Sequence, residues 1–387
     1  MLDVNQLQEE MAAFNAYQAE VRERRRAQQA VAKEALSAAG AQWTSLRDAV
    51  RRAQPRQLVA AMREDPTAVH TAPDRPTPIT VVATDGSQIY PDRHVEPTCF
   101  LINVSQIAFQ YGTTEAPLLT ATPRFRYRER DLEDHFDDVL ASMTTEVVSA
   151  IRDEYELREL LSTARGARRT GRPLVALADG TLIRWMIRGM RNRELENTLV
   201  SKYTALLQEF MDDELPLCSY ISMPGNTEVV HLLQFFLDSA LSDPAPDVRL
   251  DGLVDRQLFA EVLPPGARSA PFSSTSHIQR EYPEGNKICY FYVHIPSAWG
   301  EGEIGRVEMP EWVADEPALL DRLHSVILSE CQKGDGYPMV LSEAHEHAVV
   351  RAREREQFYR MIERSMQGAN LSTNGSRKQR SKQRPRV

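Results

Sequence analysis

Three observations predict an α/β fold built on a mixed sheet with helices on its flanks. Three β-rich runs, 79–83, 98–109 and 118–127, follow one another with turn-prone residues between them. After Pro173 the unbroken Leu-Val-Ala-Leu-Ala reads as a strand covered on both faces. Around these runs lie segments whose apolar residues recur every three or four positions, the spacing of amphipathic helices.

Taken in order, residues 5–53 are rich in Ala, Gln, Glu and Arg, hold no proline, and place Leu7, Met11, Phe14, Tyr17 and Val21 at helical spacing. This N-terminal helical extension (1–65) is one helix or two. Packing on its own domain is the favoured reading, with a partner-binding arm the alternative. Four prolines between Pro66 and Pro78 read as a linker into the main domain, 79–366.

The three β runs then form an antiparallel meander. A helix over 131–164 carries Val139, Leu140, Met143, Val147, Val148 and Ile151 as its apolar stripe. The buried strand 173–178 follows, then helices near 192–213 and 227–242 with a short strand, 219–222, between them. Residues 246–312 are irregular, with 288–295 as their strongest strand. The segments 315–332 and 342–366 read as closing helices, and the Gly, Ser, Asn, Lys and Arg composition of 367–387 as a disordered basic tail. Among α/β layouts, a three-stranded meander beside shorter parallel strands suits a ribonuclease-H-like core better than a doubly wound parallel sheet.

With 387 residues and 42% hydrophobic content the chain can bury a large core. No window is apolar enough to span a membrane, and Met-Leu-Asp-Val-Asn-Gln is no signal peptide, so the expected location is the cytoplasm, with no membrane partner. Cys99, Cys218, Cys289 and Cys331 lack Cys-x-x-Cys spacing and read as reduced, structural thiols. The formal charge is −9, although Arg377 to Arg386 holds six basic residues and no acid. Such an acidic body does not advertise a nucleic-acid surface, so any contact with DNA must come from local basic patches and from cations that neutralise an acidic site.

Chemistry is suggested by two aligned segments, Val-Ala-Thr-Asp-Gly-Ser-Gln-Ile (82–89) and Ala-Leu-Ala-Asp-Gly-Thr-Leu-Ile (176–183). Each puts a carboxylate, Asp85 or Asp179, where an apolar strand ends. A single Asp-Gly is usually a turn. Two of them on neighbouring strands bring like charges together, which a divalent cation would relieve. Oxygen donors favour Mg2+ or Mn2+. The helix before strand 173–178 offers a third carboxylate from Glu154, Glu156 or Glu159, and the residue spacing leaves the choice open.

Five segments in sequence, Asp-Gly-Ser-Gln, Asp-Gly-Thr-Leu, Ser-Tyr-Ile-Ser-Met-Pro-Gly-Asn-Thr-Glu-Val-Val (219–230), Gly-Arg-Val-Glu-Met-Pro-Glu-Trp-Val (305–313) and Gly-Tyr-Pro-Met-Val-Leu-Ser-Glu-Ala-His (336–345), resemble the NurA nucleases over about residues 79–366. The resemblance implies a manganese-dependent DNA nuclease on a ribonuclease-H-like fold. It further implies 5′ to 3′ exonuclease and single-strand endonuclease activity in DNA end resection, and a homodimer docked on the hexameric HerA translocase. Carried over residue by residue, Asp85, Asp179, Glu156 and His345 become metal ligands, and Tyr337 joins them in the catalytic set. Glu156 is a preference over Glu159 and Glu154, because the motif does not fix spacing in that helix. His347 and His294 are expected to be a surface residue and a packed strand residue.

Arginines offer contacts for a phosphate backbone. Arg165, Arg168, Arg169 and Arg172 form one cluster; Arg184, Arg188, Arg191 and Arg193 follow Asp179, with Lys202 just beyond. The tail adds salt-sensitive attraction. Other classes fit less well. A haloacid-dehalogenase-type phosphatase needs a second Asp two residues earlier, where Ala83 and Leu177 stand, and no Gly-x-x-x-x-Gly-Lys-Ser/Thr loop is present. The remaining rival is a non-catalytic dimeric scaffold for a DNA translocase.

Overall fold

The computed structural model describes residues 4–91, 99–127, 145–184, 193–239, 241–242, 248–297, 300 and 302–369. The chain opens with helices α1 (Val4–Ala41) and α2 (Trp43–Ala53) and two short strands, β1 (Ala61–Met62) and β2 (Val69–Thr71). Strands β3 (Ile79–Ala83), β4 (Gly86–Ile89), β5 (Phe100–Tyr111) and β6 (Leu118–Arg126) come next. Then follow α3 (Thr145–Arg168), β7 (Leu174–Asp179), α4 (Arg193–Asp212), β8 (Leu217–Ile221) and α5 (Glu228–Leu237). The last part holds α6 (Asp255–Val262), β9 (Ala267–Ser269), β10 (Phe272–Ser273), β11 (Ile288–Ile295) and β12 (Glu303–Pro310). Helices α7 (Glu311–Ala314), α8 (Pro317–Lys333), α9 (Met339–Ala348) and α10 (Ala352–Gly368) close it.

Towards one edge of the sheet β5 pairs antiparallel with β3 and β6, while further in β7 runs parallel to both β3 and β8. This is the meander plus parallel strands of a ribonuclease-H-like core. The sheet continues through β12 and β11, both antiparallel, so it is wider than that core alone. Burying a Val or Leu side chain contributes roughly 1.5–3 kcal/mol. Strand β7, buried from Leu174 through Leu177, therefore belongs at the sheet centre; β6, with no fully buried residue, forms an edge.

Side chains alternate along each strand, and here the alternation sorts the core into two layers. Ile79, Val81, Ala83, Val175 and Leu177 join the cluster that includes Leu323, Val326 and Ile327 of α8 and Val340, Leu341 and Ala344 of α9. Val82, Leu174 and Ala176 join the opposite cluster, with Leu157, Leu160 and Leu161 of α3 and Leu207 and Phe210 of α4. The even and odd positions of two strands thus decide which helices face which residues.

Several boundaries differ from expectation. The closing segment 342–366 is two helices, broken between Ala348 and Ala352, and it begins earlier, at Met339. The irregular region contains α6 and the long strand β12; β12 is buried along almost its whole length and so shows no alternation, and α6 is only eight residues long. The proline-rich segment carries β2, which pairs with β9. In α1 the stripe Leu7, Met11, Phe14 and Tyr17 is exposed; burial falls on Ala32, Ala35, Leu36 and Ala39, which pack against α5 and α6. All four cysteines are buried free thiols. Part of the expected helix 131–164, with Val139, Leu140 and Met143, and nearly all of the basic tail lie outside the described residues. Among the described residues no helix is long and apolar enough to cross a membrane.

Candidate active site

The register of β3 on β7 pairs Ala83 with Leu177, and two further residues along each strand stand Asp85 and Asp179. Both share the parity of Val81 and Val175, so both face the layer of α8 and α9. There the two carboxylates meet Tyr337, Leu341, Ser342, His345 and Glu346 around a cavity of about 280 Å3. His345 Nδ1 lies 2.9 Å from Asp85 Oδ2, and the Tyr337 hydroxyl donates to Asp179 Oδ1 at 2.7 Å. Burial and the neighbouring Asp179 charge push the Tyr337 phenol well above its usual range, so it stays protonated and acts as a donor.

The two Asp-Gly pairs are built differently. Asp179 ends β7, and Gly180 adopts φ +74°, a left-handed conformation that favours glycine. Asp85 lies in the two-residue step between β3 and β4, which keep one register on β5, and the Ser105 N–H donates to the Asp85 carbonyl at 2.9 Å. Gly86 serves a close approach. A Cβ there would lie 2.6 Å from Glu156 Oε1 and 2.8 Å from Arg152 Cγ.

Glu156 stands against Gly86, the residue after Asp85, whereas Glu154 is paired with Arg158 and Glu159 is tied to Arg124 and Gln106. It sits on the α3 side of the strand, where the Thr84 hydroxyl donates to its backbone carbonyl at 2.8 Å. Burial, then the charges of Asp153 and Asp85, raise its carboxyl to about 8, against the opposing pull of Arg152. Arg152 Nε lies 3.0 Å from Glu156 Oε1, and its Nη2 is 2.8 Å from Asp153 Oδ1. Strand alternation thus divides the acids, two on the α9 side and one on the α3 side. Among the described residues no three His, Cys, Asp or Glu side chains gather closely enough to hold a metal ion.

The donor chemistry nevertheless suits a hard divalent cation. Two carboxylates and an imidazole open onto one cavity, and a third carboxylate is crowded by like charge.

One residue that sequence reading missed ties these parts together. The buried Ser105 hydroxyl donates to the Ala344 carbonyl at 2.7 Å and accepts the Asp85 N–H at 3.1 Å, fixing α9, and His345 with it, against the strand. Ser105 did not stand out in the sequence, because the same strand also carries Asn103, Gln106 and Gln110.

The basic residues are dispersed. Arg169 and Lys202 line a groove of about 630 Å3 between α3 and α4 with Arg158 and Arg165, apart from the aspartate cavity. Arg168 is paired with Glu214, Arg165 with Glu209 and Asp213, Arg172 with Glu115 and Arg193 with Glu196. Arg184 points inward rather than to solvent: its Nη1 is 3.3 Å from Asp153 Oδ2 and its guanidinium lies 4.8 Å from the centre of the Tyr203 ring. This packing goes with the buried Leu182 and Ile183 just before it and sets Arg184 apart from the other arginines expected to meet DNA. Arg188 and Arg191 lie outside the described residues. His294 is buried with Nδ1 2.7 Å from the Leu263 carbonyl, and His347 is partly exposed near Glu343.

Fold and site together define an α/β protein of ribonuclease-H-like topology with an acidic centre on one side of its parallel strands. The family model for the NurA domain matches residues 79–350, and the chain belongs to this family of nucleases. A solved structure of LC9-RNase H1, described as a type 1 RNase H with the type 2 active-site motif, is 13% identical, with a TM-score of 0.21. That match covers 41% of this chain and 71% of the other. No curated protein matches the chain.

Proposed function

We propose that this chain is a divalent-metal-dependent DNA nuclease whose centre is formed by Asp85, Asp179, Glu156, Tyr337 and His345. The observation that carries the reading is the shared cavity, onto which two level aspartates open, one held by an imidazole and the other by a phenol. Asp85, Asp179, Glu156 and His345 would hold Mn2+ or Mg2+. When bound, such a cation supplies neutralisation of the scissile phosphodiester and activation of water for in-line attack.

The chain's own groups do the rest. Tyr337 fixes the rotamer of Asp179 by its hydrogen bond. His345 orients Asp85 through its Nδ1, and its exposed ring stands at the cavity mouth. Arg169 and Lys202 offer charge to a phosphate backbone along the α3 and α4 groove, and the tail adds sequence-independent attraction. From the family follow 5′ to 3′ exonuclease and single-strand endonuclease action in end resection, a homodimer and a HerA-type hexameric translocase as partner.

The test is degradation of end-labelled linear DNA by the purified chain, with and without Mn2+ and with and without a hexameric translocase. Asp85→Ala and Asp179→Ala should each abolish cleavage in a folded protein. A folded and fully active double variant would end the proposal. A native chain that binds the translocase but leaves DNA intact would favour a non-catalytic scaffold instead.

A further inference from the structure

Two motifs outside the acid pair, 219–230 and 305–313, have no role in the cavity, yet they meet behind it. Glu308, 1% exposed, spends both carboxylate oxygens. Its Oε2 accepts the Thr181 hydroxyl and the Leu182 N–H, each at 2.8 Å. Its Oε1 accepts Arg306 Nε–H at 2.9 Å. Arg306, fully buried, donates in turn to Glu228 Oε2 at 2.8 Å and lies 3.5 Å over the Tyr290 ring. Glu228 Oε1 is held by the Ser274 hydroxyl at 2.6 Å. The Leu182 carbonyl accepts from Tyr282 at 2.8 Å and Tyr203 at 3.1 Å, so the turn after Asp179 is gripped at both its N–H and C=O groups.

A buried ion network of this kind returns in attraction about what it costs in desolvation, so stability alone is a weak reason for it. What it achieves is placement. We propose that Glu308 is a positioning residue for Asp179: by holding Thr181 and Leu182 it fixes the turn that aims the Asp179 carboxylate into the cavity, and Arg306 holds Glu308 in turn. The inference rests on the divalent-metal reading of the site. Hydrogen-bond partners of metal-binding groups act in this way, tuning affinity through orientation and not through contact with the ion.

The experiment measures Mn2+ binding by the full chain, following unbound Mn2+ by electron paramagnetic resonance, beside thermal melts without metal. Glu308→Gln should weaken Mn2+ binding about tenfold, and the milder Thr181→Val about threefold. Thr181→Ser, which restores the hydroxyl, should bind as the native chain does. A clamp that serves stability alone would lower the melting temperature and leave the Kd of folded protein unchanged. Native Kd in Thr181→Val, whether or not Glu308→Gln folds, would overturn the proposal while leaving the metal reading intact. A native chain that binds no Mn2+ would overturn both.

Discussion

Asp85 and Asp179 stand level on adjacent parallel strands, because the ladder that pairs Ala83 with Leu177 carries each strand two residues further to its aspartate. Equal parity then turns both carboxylates to the same side. Their partners, Tyr337 and His345, come from one short segment: Tyr337 precedes α9 and His345 lies within it. The N-terminus of that helix is anchored by the buried Glu330, which accepts the Val340 N–H at 2.9 Å.

Removing the phenol hydroxyl tests the smaller of these two contacts. Tyr337→Phe keeps the ring against Tyr220 but loses the bond to Asp179. A hydrogen bond to a charged group contributes roughly 1.5–3 kcal/mol, so kcat should fall by about ten- to a hundredfold with folding unchanged. His345→Ala should cost more, at least about a hundredfold in kcat, because it removes a cation ligand together with the partner of Asp85. Single-turnover cleavage of both variants checks the order; a larger loss in Tyr337→Phe would contradict the assignment.

Alanine at the two glycines should have different effects. Gly86→Ala drives a methyl against the tips of Glu156 and the stem of Arg152, so cleavage should be lost with little change in melting temperature. Gly180→Ala meets no atom within 4 Å but must hold φ +74°, which costs roughly 1–2 kcal/mol of stability. Urea unfolding and cleavage measured on both would show equal effects if the two pairs were equivalent turns.

Ser105→Ala removes the acceptor of the Asp85 N–H and the donor to Ala344. Leaving buried backbone groups unpaired costs roughly 1–3 kcal/mol. We expect a loss of stability in that range together with reduced cleavage, since α9 carries His345. Native melting behaviour in this variant would show that Ser105 does not join helix to strand.

Acid should destabilise the fold through His324. Burial, then the nearby Arg268 charge, lowers its pKa to about 4 from 6.5. A depressed basic pKa means that the native state binds fewer protons than the unfolded chain between those values. The stability from neutral His324 is therefore fully present above 6.5 and lost as pH falls towards 4, by on the order of 3 kcal/mol. Asp255 acts in the opposite sense: burial raises its carboxyl to about 6, so its contribution falls as pH rises from 4 to 6. The comparison must therefore be between chains. His324→Gln should flatten the acid side of the stability curve relative to native protein, and parallel curves from pH 7 to pH 4.5 would refute the assignment.

Much of this protein was legible in one dimension. Alternation and apolar runs located β3, β5, β7 and β11, since burial on one or both faces of a strand leaves a local signature, while the exposed β6 was located by its β-prone residues between turns. The two Asp-Gly pairs marked the candidate centre as carboxylates next to apolar runs. Strand β12 and helix α6 were not legible, because their polar residues, Arg306, Glu308 and Asp255, are satisfied by partners distant in sequence. The place of Glu156 beside Gly86, the inward turn of Arg184 and the continuous register on either side of Asp85 likewise depended on what lies across the sheet. Sequence by itself determined which residues carry charge at the ends of apolar runs. Only the tertiary structure decided which face each charge occupies and what holds it there, because register and helix packing join residues that no local pattern connects.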